Sequence, residues 1–338
     1  LICRTLTGEA VANPSNAAGT QLMDLSRGEW DPWLCELARI EPAQLSPLID
    51  PGSPIGTITS EVADLTGLPP DLTVVVGGHD QTCTAAALGA TEPGRGLLSC
   101  GTAWVLTTVA DSPDGILPPV EGLPPGLNLS RHVVPGMVTL SLSLGGLGAT
   151  LSWWARTAGT ELVDLLDELH THGVLPGGSS PYLMPLTSLP DPEGHVRAGG
   201  FVGLTGATTR ADLTRAVLEG AALETAAFLE SLAAEGHITR RLTVSGGATA
   251  GDAWPLIMAD TLGLPLTTAR EEPWPALGAA LLAGSHLRWF EPGHSPWTEG
   301  SGGSEHRPDP RRSELTRRRL DTYREIGAAG SALETAHD

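Results

Sequence analysis

One carboxylate stands out in the segment Thr73–Gln81, where a run of valines leads into two glycines, a histidine and Asp80. The apolar run Thr73–Val76 predicts an interior strand covered on both faces, and the alanine-rich run Gln81–Leu88 predicts a packed helix. Asp80 then lies at a strand-to-helix junction, where α/β sheets hold ligands. Such a carboxylate can accept a proton from a hydroxyl, and the alternative is that it only caps the helix.

Three further glycine-centred turns follow this acid, and each one adjoins a predicted strand or helix. Glycine lets a ligand approach the backbone, and a helix N-terminus favours negative charge. A hairpin tip at Cys100-Gly101-Thr102 could offer N–H groups and a hydroxyl to a phosphate. The three turns lie in Gly96–Leu106, in Gly145–Thr150 before a helix carrying two tryptophans, and in Leu242–Asp252 before a helix at Ala253–Leu262.

The composition limits the classes of function. The 338 residues carry a formal net charge of −19, which disfavours a nucleic-acid surface because phosphates would be repelled. The chain has no lysine, which excludes a P-loop lysine and Schiff-base chemistry. The four cysteines, Cys3, Cys35, Cys83 and Cys100, lack metal-ligand spacing and predict reduced structural thiols, although Cys100 at the hairpin tip could be accessible. Without a signal peptide or an apolar run of about 18 residues, we expect a soluble cytoplasmic protein.

The sequence divides near Gly94–Gly101, and we expect three parts. They are a first domain over residues 1–95, a second domain of alternating strands and helices over 96–285, and a loop with a terminal helix over 286–338. A helix is predicted from about Arg210 to Glu235, capped by a preceding threonine, and a basic helix over Ser313–Ile326. Glu219 and Asp260 lie inside predicted helices, so we interpret both as structural.

Taken in order, these motifs resemble the FGGY family of carbohydrate kinases. The similarity extends through nearly the whole chain and is most specific in Gly246–Asp260 with the Ala-Leu-Gly-Ala-Ala run at Ala276–Ala280. It also includes Asn13–Trp30, Pro51–Gly56 with Leu65–Pro69, and Gly199–Leu204. The resemblance implies an α/β protein of two actin-like (ribonuclease H-like) domains. It also implies transfer of the terminal phosphate of ATP, with Mg²⁺, to a hydroxyl of a ketose or polyol such as xylulose.

The start of the chain departs from the family pattern. Family members begin with a strand hairpin carrying an Asp-x-Gly-Thr motif for phosphate and metal, and nothing of this kind follows Leu1. We therefore expect an incomplete first domain, no metal ligand among these residues, and no useful phosphorylation by this chain alone. Residues 1–95 should expose apolar surface and strand edges.

The resemblance assigns a role to individual residues of this sequence. Asp80 would be the catalytic general base, and Gln81 and His79 would bind substrate, with packing an equal alternative for His79. The second domain would bind the nucleotide: Gly101 and Thr102 would hold the β and γ phosphates, while the remaining contacts would come from Gly148, Ser152, Gly247, Gly251 and Asp252. Glycines at Gly94 and Gly96 would form a hinge that lets the domains close.

Two other functions fit the same motifs. One is a catalytically inactive chain that retains only nucleotide or sugar binding, which the absent hairpin favours. The other is an actin-like ATPase without a sugar substrate, which the Gly-His-Asp-Gln motif disfavours. The expected partner is a small-molecule sugar or polyol, with neither nucleic acid nor membrane, and a homodimer is compatible with the sequence.

Overall fold

A computed structural model describes residues 1–101, 103–118, 122–124, 126–172, 181–184, 199–247, 251–291, 293–297 and 303–334. Within these residues no helix is both long and apolar enough to cross a bilayer. The described chain forms eleven α-helices: α1 (Ile2–Thr7), α2 (Pro14–Ala17), α3 (Pro32–Leu37), α4 (Ser60–Thr66), α5 (Asp80–Ala87), α6 (Leu147–Ala158), α7 (Leu162–His172), α8 (Arg210–Ala234), α9 (Ala253–Leu262), α10 (Trp274–His286) and α11 (Pro310–Glu334).

The same residues form thirteen strands. They are β1 (Met23–Asp24), β2 (Glu29–Trp30), β3 (Pro54–Thr57), β4 (Thr73–Val75), β5 (Arg95–Cys100), β6 (Trp104–Asp111), β7 (Asn128–Arg131), β8 (Met137–Ser143), β9 (Tyr182–Met184), β10 (Gly200–Val202), β11 (Arg241–Gly246), β12 (Leu266–Thr268) and β13 (Glu305–His306).

A mixed sheet of seven strands, in the order β13-β12-β11-β5-β6-β8-β7, is the centre of the fold. From β5 the chain turns back into β6, and β8 and β7 continue the sheet antiparallel on that side. On the other side β11 runs parallel to β5, so that Gly246 lies opposite Cys100. The carboxyl ends of two central strands therefore meet at one edge, which is where ligands bind in α/β sheets.

The sheet is covered by helices whose sequence explains their bounds. The long helix α8 begins after Thr209, whose hydroxyl accepts from the backbone of Asp212 while the Asp212 carboxylate accepts from Thr209. This reciprocal cap satisfies two N–H groups at the helix start. Both α8 and α9 have the bounds that their sequence predicts, to within one residue. Their buried faces pack with Leu98, Leu106 and other side chains of the sheet in the largest apolar cluster.

The terminal helix α11 extends beyond the predicted Ser313–Ile326 and is fastened to α8 by a buried ion pair. Arg319 donates from Nε and one terminal nitrogen to the two carboxylate oxygens of Glu219, at 2.9 and 2.7 Å. Its guanidinium also lies 4.1 Å from the ring centroid of Tyr182. A buried bidentate pair fixes the position of α11 relative to α8, because separating the two groups would leave a buried charge without a partner, which costs several kcal/mol. Glu219 therefore has the structural role that its position in the sequence indicates.

The first part of the chain has a different character. It contains short helices and two separate two-stranded sheets, β1-β2 and β3-β4. Of the fourteen large apolar side chains that are exposed among the described residues, seven lie between Leu1 and Leu72. The expectation of exposed apolar surface in residues 1–95 is confirmed.

The predicted interior strand over Thr73–Val76 was wrong. Among the described residues β4 pairs only with β3; its first residue is exposed, and Val74 and Val75 are half-buried. Only Val76, beyond the strand, is deeply buried. Four apolar residues are too few to separate a strand inside a sheet from one strand of a small hairpin, because their pattern is the same in both.

The predicted hinge at Gly94 and Gly96 is also contradicted. Gly96 lies inside β5 and pairs with Leu242 on one side and Thr108 on the other. The Gly94 carbonyl accepts from the backbone N–H groups of Arg240 and Arg241 at 2.7 and 3.1 Å. A backbone held by sheet and turn hydrogen bonds does not offer a free pivot.

Helices α5 and α10 approach so closely that only glycine fits at one position. A Cβ on Gly278 would lie 2.0 Å from the carbonyl oxygen of Cys83. Ala86, Leu281 and Leu282 form an apolar cluster with Cys83 beside this contact. The helix that begins at Asp80 is thereby fixed to the part of the chain that also carries the central sheet.

We predict that Gly278→Ala destabilises the protein. In an open helix this change stabilises by about 0.5–1 kcal/mol, but here the methyl group meets backbone, and overpacking of this kind costs about 1–3 kcal/mol. The net free energy of unfolding, measured by chemical denaturation, should fall.

Gly206→Ala is the matched control, because its added Cβ would have no neighbour within 4 Å. A Gly278→Ala protein as stable as this control would contradict the close helix contact.

Candidate functional site

The carboxylate of Asp80 is presented by the first residue of α5 and is 67% exposed. The N-cap is His79, whose Nδ1 accepts from the Gln81 N–H at 3.3 Å, so the capping role does not fall to Asp80. Asp80 Oδ1 accepts from the same N–H at 2.6 Å and lies 3.1 Å from His79 Nδ1. Within the described residues, no hydrogen bond reaches Asp80 Oδ2. That oxygen can accept from a ligand.

The turn before Asp80 is packed against other parts of the chain. A Cβ on Gly78 would lie 2.1 Å from Val133 Cγ1 and 3.1 Å from Ser15 Oγ. The next residue, His79, donates its backbone N–H to Ser15 Oγ at 2.9 Å. Glycine is required here because two other segments leave no room for a side chain. The His79 ring itself is 47% exposed, which excludes the core-packing alternative for this residue.

Gln81 joins the Asp80 helix to the edge of the central sheet. Its Oε1 accepts from Ser99 Oγ at 3.2 Å, and Ser99 lies opposite Ser245 in the β5-β11 register. The start of α5 therefore lies beside the carboxyl ends of both strands. With its oxygen engaged by Ser99, the Gln81 side chain has its NH₂ group left to donate.

The three glycine-centred turns predicted from the sequence meet at this edge. Gly101 follows β5, Gly246 ends β11 opposite Cys100, and the Gly145 carbonyl accepts from Trp104 N at 3.2 Å. A Cβ on Gly101 would meet only the Ala103 carbonyl, at 3.5 Å. Thr102 lies outside the described residues. The edge thus presents backbone that is open to a ligand.

A cavity of about 290 Å³ lies next to these turns, between the start of α9 and the helices α6 and α7. Gly247 and Gly251 both lie on it, and an added Cβ on either would have no neighbour within 4 Å. Trp254 also lines it, is 2% exposed, and its indole nitrogen has no hydrogen-bond partner among the described residues. The remaining lining is largely apolar: Leu151, Leu162, Val163, Leu166, Asp167, Leu218 and Ala253.

The other predicted nucleotide contacts lie outside this cavity. Ser152 donates to the Gly148 carbonyl at 3.1 Å and lines a neighbouring open depression of about 740 Å³ that shares Leu162 with the cavity. Asp252 is 68% exposed, and its carboxylate lies 4.0 Å from Nε2 of the buried His306. The structure therefore places Gly247 and Gly251 together on the cavity. Gly148, Ser152 and Asp252 lie outside its lining.

Trp254 and the residues of α7 were not found by sequence reasoning. The leucines of α7 have the spacing of an amphipathic helix, and this signal could have predicted the helix that lines one side of the cavity. They are Leu162, Leu165, Leu166 and Leu169. Trp254 stands in an apolar helix, where an aromatic residue usually indicates core. Its ring does pack edge-on against Trp104, with centroids 4.8 Å apart.

Comparison with known families shows to which family the chain belongs. The C-terminal domain of the FGGY family of carbohydrate kinases matches residues 96–287, and the N-terminal domain of the same family matches residues 1–89. The chain belongs to the FGGY family of carbohydrate kinases. An autoinducer-2 kinase from Escherichia coli O9:H4 (strain HS) is 31% identical over 296 residues, which are 82% of this chain and 54% of that protein. The chain thus spans about half the length of this curated relative.

Solved structures of the family have the same fold. A xylulose kinase from Rhodospirillum rubrum superimposes with a TM-score of 0.84 at 29% identity, covering 99% of this chain and 66% of that one. A Plasmodium falciparum glycerol kinase with ADP gives 0.81 at 18% identity, over 96% of this chain and 65% of the other, which supports the fold alone. The expected α/β, actin-like (ribonuclease H-like) fold is confirmed.

Three of the four cysteines of this FGGY chain are protected by burial. Cys35, Cys83 and Cys100 are at most 3% exposed, while Cys3 is half-buried. Burial raises the pKa of the Cys83 thiol to about 11 and raises the pKa of Cys100 well above its usual value. Since the thiolate is the reactive form, Cys100 is inert despite its place beside Gly101.

We predict that one thiol, that of Cys3, reacts readily with a disulfide reagent at pH 8 in the native protein. A pKa of about 11 leaves roughly a thousandth of the Cys83 thiol ionised at that pH, and burial blocks the reagent as well. Denaturation should release all four thiols. Rapid native labelling of Cys100, located by peptide mass analysis, would contradict the buried position of that residue.

Proposed function

We propose that a kinase containing these residues transfers the γ-phosphate of ATP to a hydroxyl of a ketose or polyol of the xylulose class. Asp80 is the general base in this proposal. The observation that carries it is the position of the exposed Asp80 carboxylate beside the glycine turns, linked to them through the Gln81–Ser99 hydrogen bond of 3.2 Å. Membership of the FGGY family supports the same reaction class.

The proposed step is an in-line displacement. Asp80 accepts the proton of the attacking hydroxyl as the new bond forms between the sugar oxygen and the γ-phosphorus. The bond from that phosphorus to its bridging oxygen breaks, and ADP leaves with the electron pair. Asp80 Oδ2 is the oxygen available for the proton, because Oδ1 accepts from the α5 backbone. Gln81 can donate its NH₂ to a second hydroxyl, and the exposed His79 ring borders the same space.

ATP fits the second part of the chain. The cavity beside Gly247 and Gly251 has apolar walls for a base. The indole nitrogen of Trp254, which has no partner in the described part of the chain, is a buried donor beside it. Backbone at Gly101 and at the start of α6 faces the same edge and suits phosphates. Gly148, Ser152 and Asp252 would contact outlying parts of the nucleotide, and Thr102 keeps its proposed phosphate role.

Mg²⁺ is proposed only as a companion of the nucleotide. No group of three or more His, Cys, Asp or Glu side chains suited to a metal ion occurs in the described part of the chain. Mg²⁺ with ATP is commonly held by phosphates, water and one or two carboxylates, so a protein cage is not required.

The division of the chain into residues 1–95, 96–285 and 286–338 remains part of this proposal. The sugar would lie near the Asp80 side of the cleft and the nucleotide on the side of the central sheet. The xylulose kinase among the solved structures favours a ketose substrate. The direct test is a panel of pentoses, hexoses and polyols with ATP and magnesium, with ADP release as the readout and a parallel nucleotide titration. Nucleotide binding without ADP release on any sugar would favour the binding-only function instead.

We predict that, in a protein spanning the full length of its relatives, Asp80→Asn lowers turnover by about a hundredfold or more, the usual loss for a general base, while leaving the nucleotide dissociation constant nearly unchanged. Asparagine keeps the shape of the side chain but cannot take the proton. Calorimetry with the nucleotide and a coupled ADP assay measure the two effects.

Asp64→Asn, which changes an exposed carboxylate on α4, is the control and should retain full turnover. Equal turnover in Asp80→Asn and Asp64→Asn would remove Asp80 from the mechanism.

We predict that Gly247→Val weakens nucleotide binding about tenfold or more without lowering the melting temperature. The new side chain would enter open space at the cavity, so it should exclude the ligand rather than clash with the protein. Gly206→Val, equally uncrowded at its Cβ, should bind nucleotide as the wild type does. Wild-type affinity in Gly247→Val would place the nucleotide elsewhere.

A further inference from the structure

A short buried chain of hydrogen bonds lies beneath the turn that carries Asp80. Ser15, in α2, accepts from the backbone N–H of His79 at 2.9 Å and donates its hydroxyl proton to Asn13 Oδ1 at 2.6 Å. Asn13 Oδ1 also accepts from Asn16 N at 3.0 Å. Ser15 and Asn13 are 3% and 7% exposed. The chain joins residues 64 positions apart in sequence.

The direction of these bonds is determined by the donor and acceptor inventory. A serine hydroxyl has one proton and a backbone amide can only donate, so the Ser15 proton must go to Asn13. Asn13 is in turn held as the N-cap of α2. The lone pairs of Ser15 Oγ therefore face the His79 N–H in a fixed orientation. The hydroxyl accepts from His79 and donates to Asn13.

The carboxylate of Asp80 makes few contacts of its own. Its side chain is 67% exposed, and its contacts among the described residues are to its two chain neighbours, His79 and Gln81. Its position is therefore set mainly by the backbone just before it. At Gly78 that backbone lies against Val133, Ser15 and Cys83 with no room for a Cβ, and the Ser15 oxygen is the polar anchor of this contact.

We propose that Ser15 and Asn13 are positioning residues for Asp80, a relay that fixes the backbone of His79 and through it the direction of the carboxylate. Ser130 Oγ of β7 donates to the Ser15 carbonyl at 3.4 Å. The relay therefore also connects the turn to the central sheet, which would hold the nucleotide. This inference rests on the proposed function of Asp80. A misplacement of about 1 Å in such a group can cost about a hundredfold in rate.

The test compares Ser15→Ala with Asn13→Ala and Asn13→Asp, using backbone amide exchange by NMR and steady-state kinetics. In Ser15→Ala we expect exchange at the His79 amide to rise at least tenfold, kcat to fall about tenfold or more, and the KM for ATP to stay within twofold. Asn13→Ala should show both effects in weaker form, and Asn13→Asp, which keeps the acceptor, should resemble the wild type. The double variant Asn13→Ala with Ser15→Ala should be no slower than Ser15→Ala alone, because the two residues act in series.

Thr225→Ala controls for simple destabilisation, since it removes a fully buried hydroxyl inside α8. It should lose stability but keep kcat. Unchanged His79 exchange in Ser15→Ala, or a loss of kcat that Thr225→Ala reproduces at equal stability, would overturn the relay. If Ser15→Ala does not fold, the pair Asn13→Ala and Asn13→Asp decides the question by the same two readouts. An inactive wild type in a protein spanning the full length of its relatives would contradict the proposed function, and the exchange measurement would still decide whether the relay holds the turn.

Discussion

The contact between α5 and α10 at Cys83 and Gly278 is the constraint on which the candidate site depends. A Cβ at Gly278 would lie 2.0 Å from the Cys83 carbonyl, so the two helices touch through backbone. Interiors packed at this density do not deform continuously, and a helix seated in this way keeps its orientation. Asp80 lies in the same helix, three residues before Cys83, so the orientation of α5 also determines the position of its backbone. The acid and the glycine turns can therefore keep a fixed relation although they lie in different parts of the sequence.

A second set of contacts joins the first part of the chain to the central sheet. Arg131, at the end of β7, donates from Nε to the Leu25 carbonyl at 2.7 Å and also donates to the Ser26 carbonyl. Together with the bond from Ser130 to Ser15, these hydrogen bonds hold the segment before residue 30 against β7. The exposed apolar side chains of that first part lie on surfaces that these contacts do not cover.

Much of the second part could be predicted from sequence, because its signals are local. The hairpin at Gly101, a threonine cap before Arg210 and the bounds of the helix Ala253–Leu262 each follow from residue types at defined positions, and the structure has all three. The predictions of an interior strand before Asp80 and of a hinge at Gly94 were wrong for the same reason. Whether a strand has one neighbour or two, and whether a glycine pairs in a sheet, depends on distant segments such as β3 and β11.

The same reason explains what was missed in the site. The apolar neighbours of Trp254 predict a core position, and only the structure shows that its indole nitrogen, beside the cavity, has no hydrogen-bond partner among the described residues. Ser15 and Asn13 read as an ordinary helix cap, because their function as a relay requires His79, which is remote in sequence. Since β5 is held at Gly94 and Gly96 and α5 is held at Gly278, any motion that closes the site over a sugar must move α5 together with the sheet. That motion must then come from segments that pack less closely against them, and the segment over residues 31–72, with five of its large apolar side chains exposed, is the clearest example.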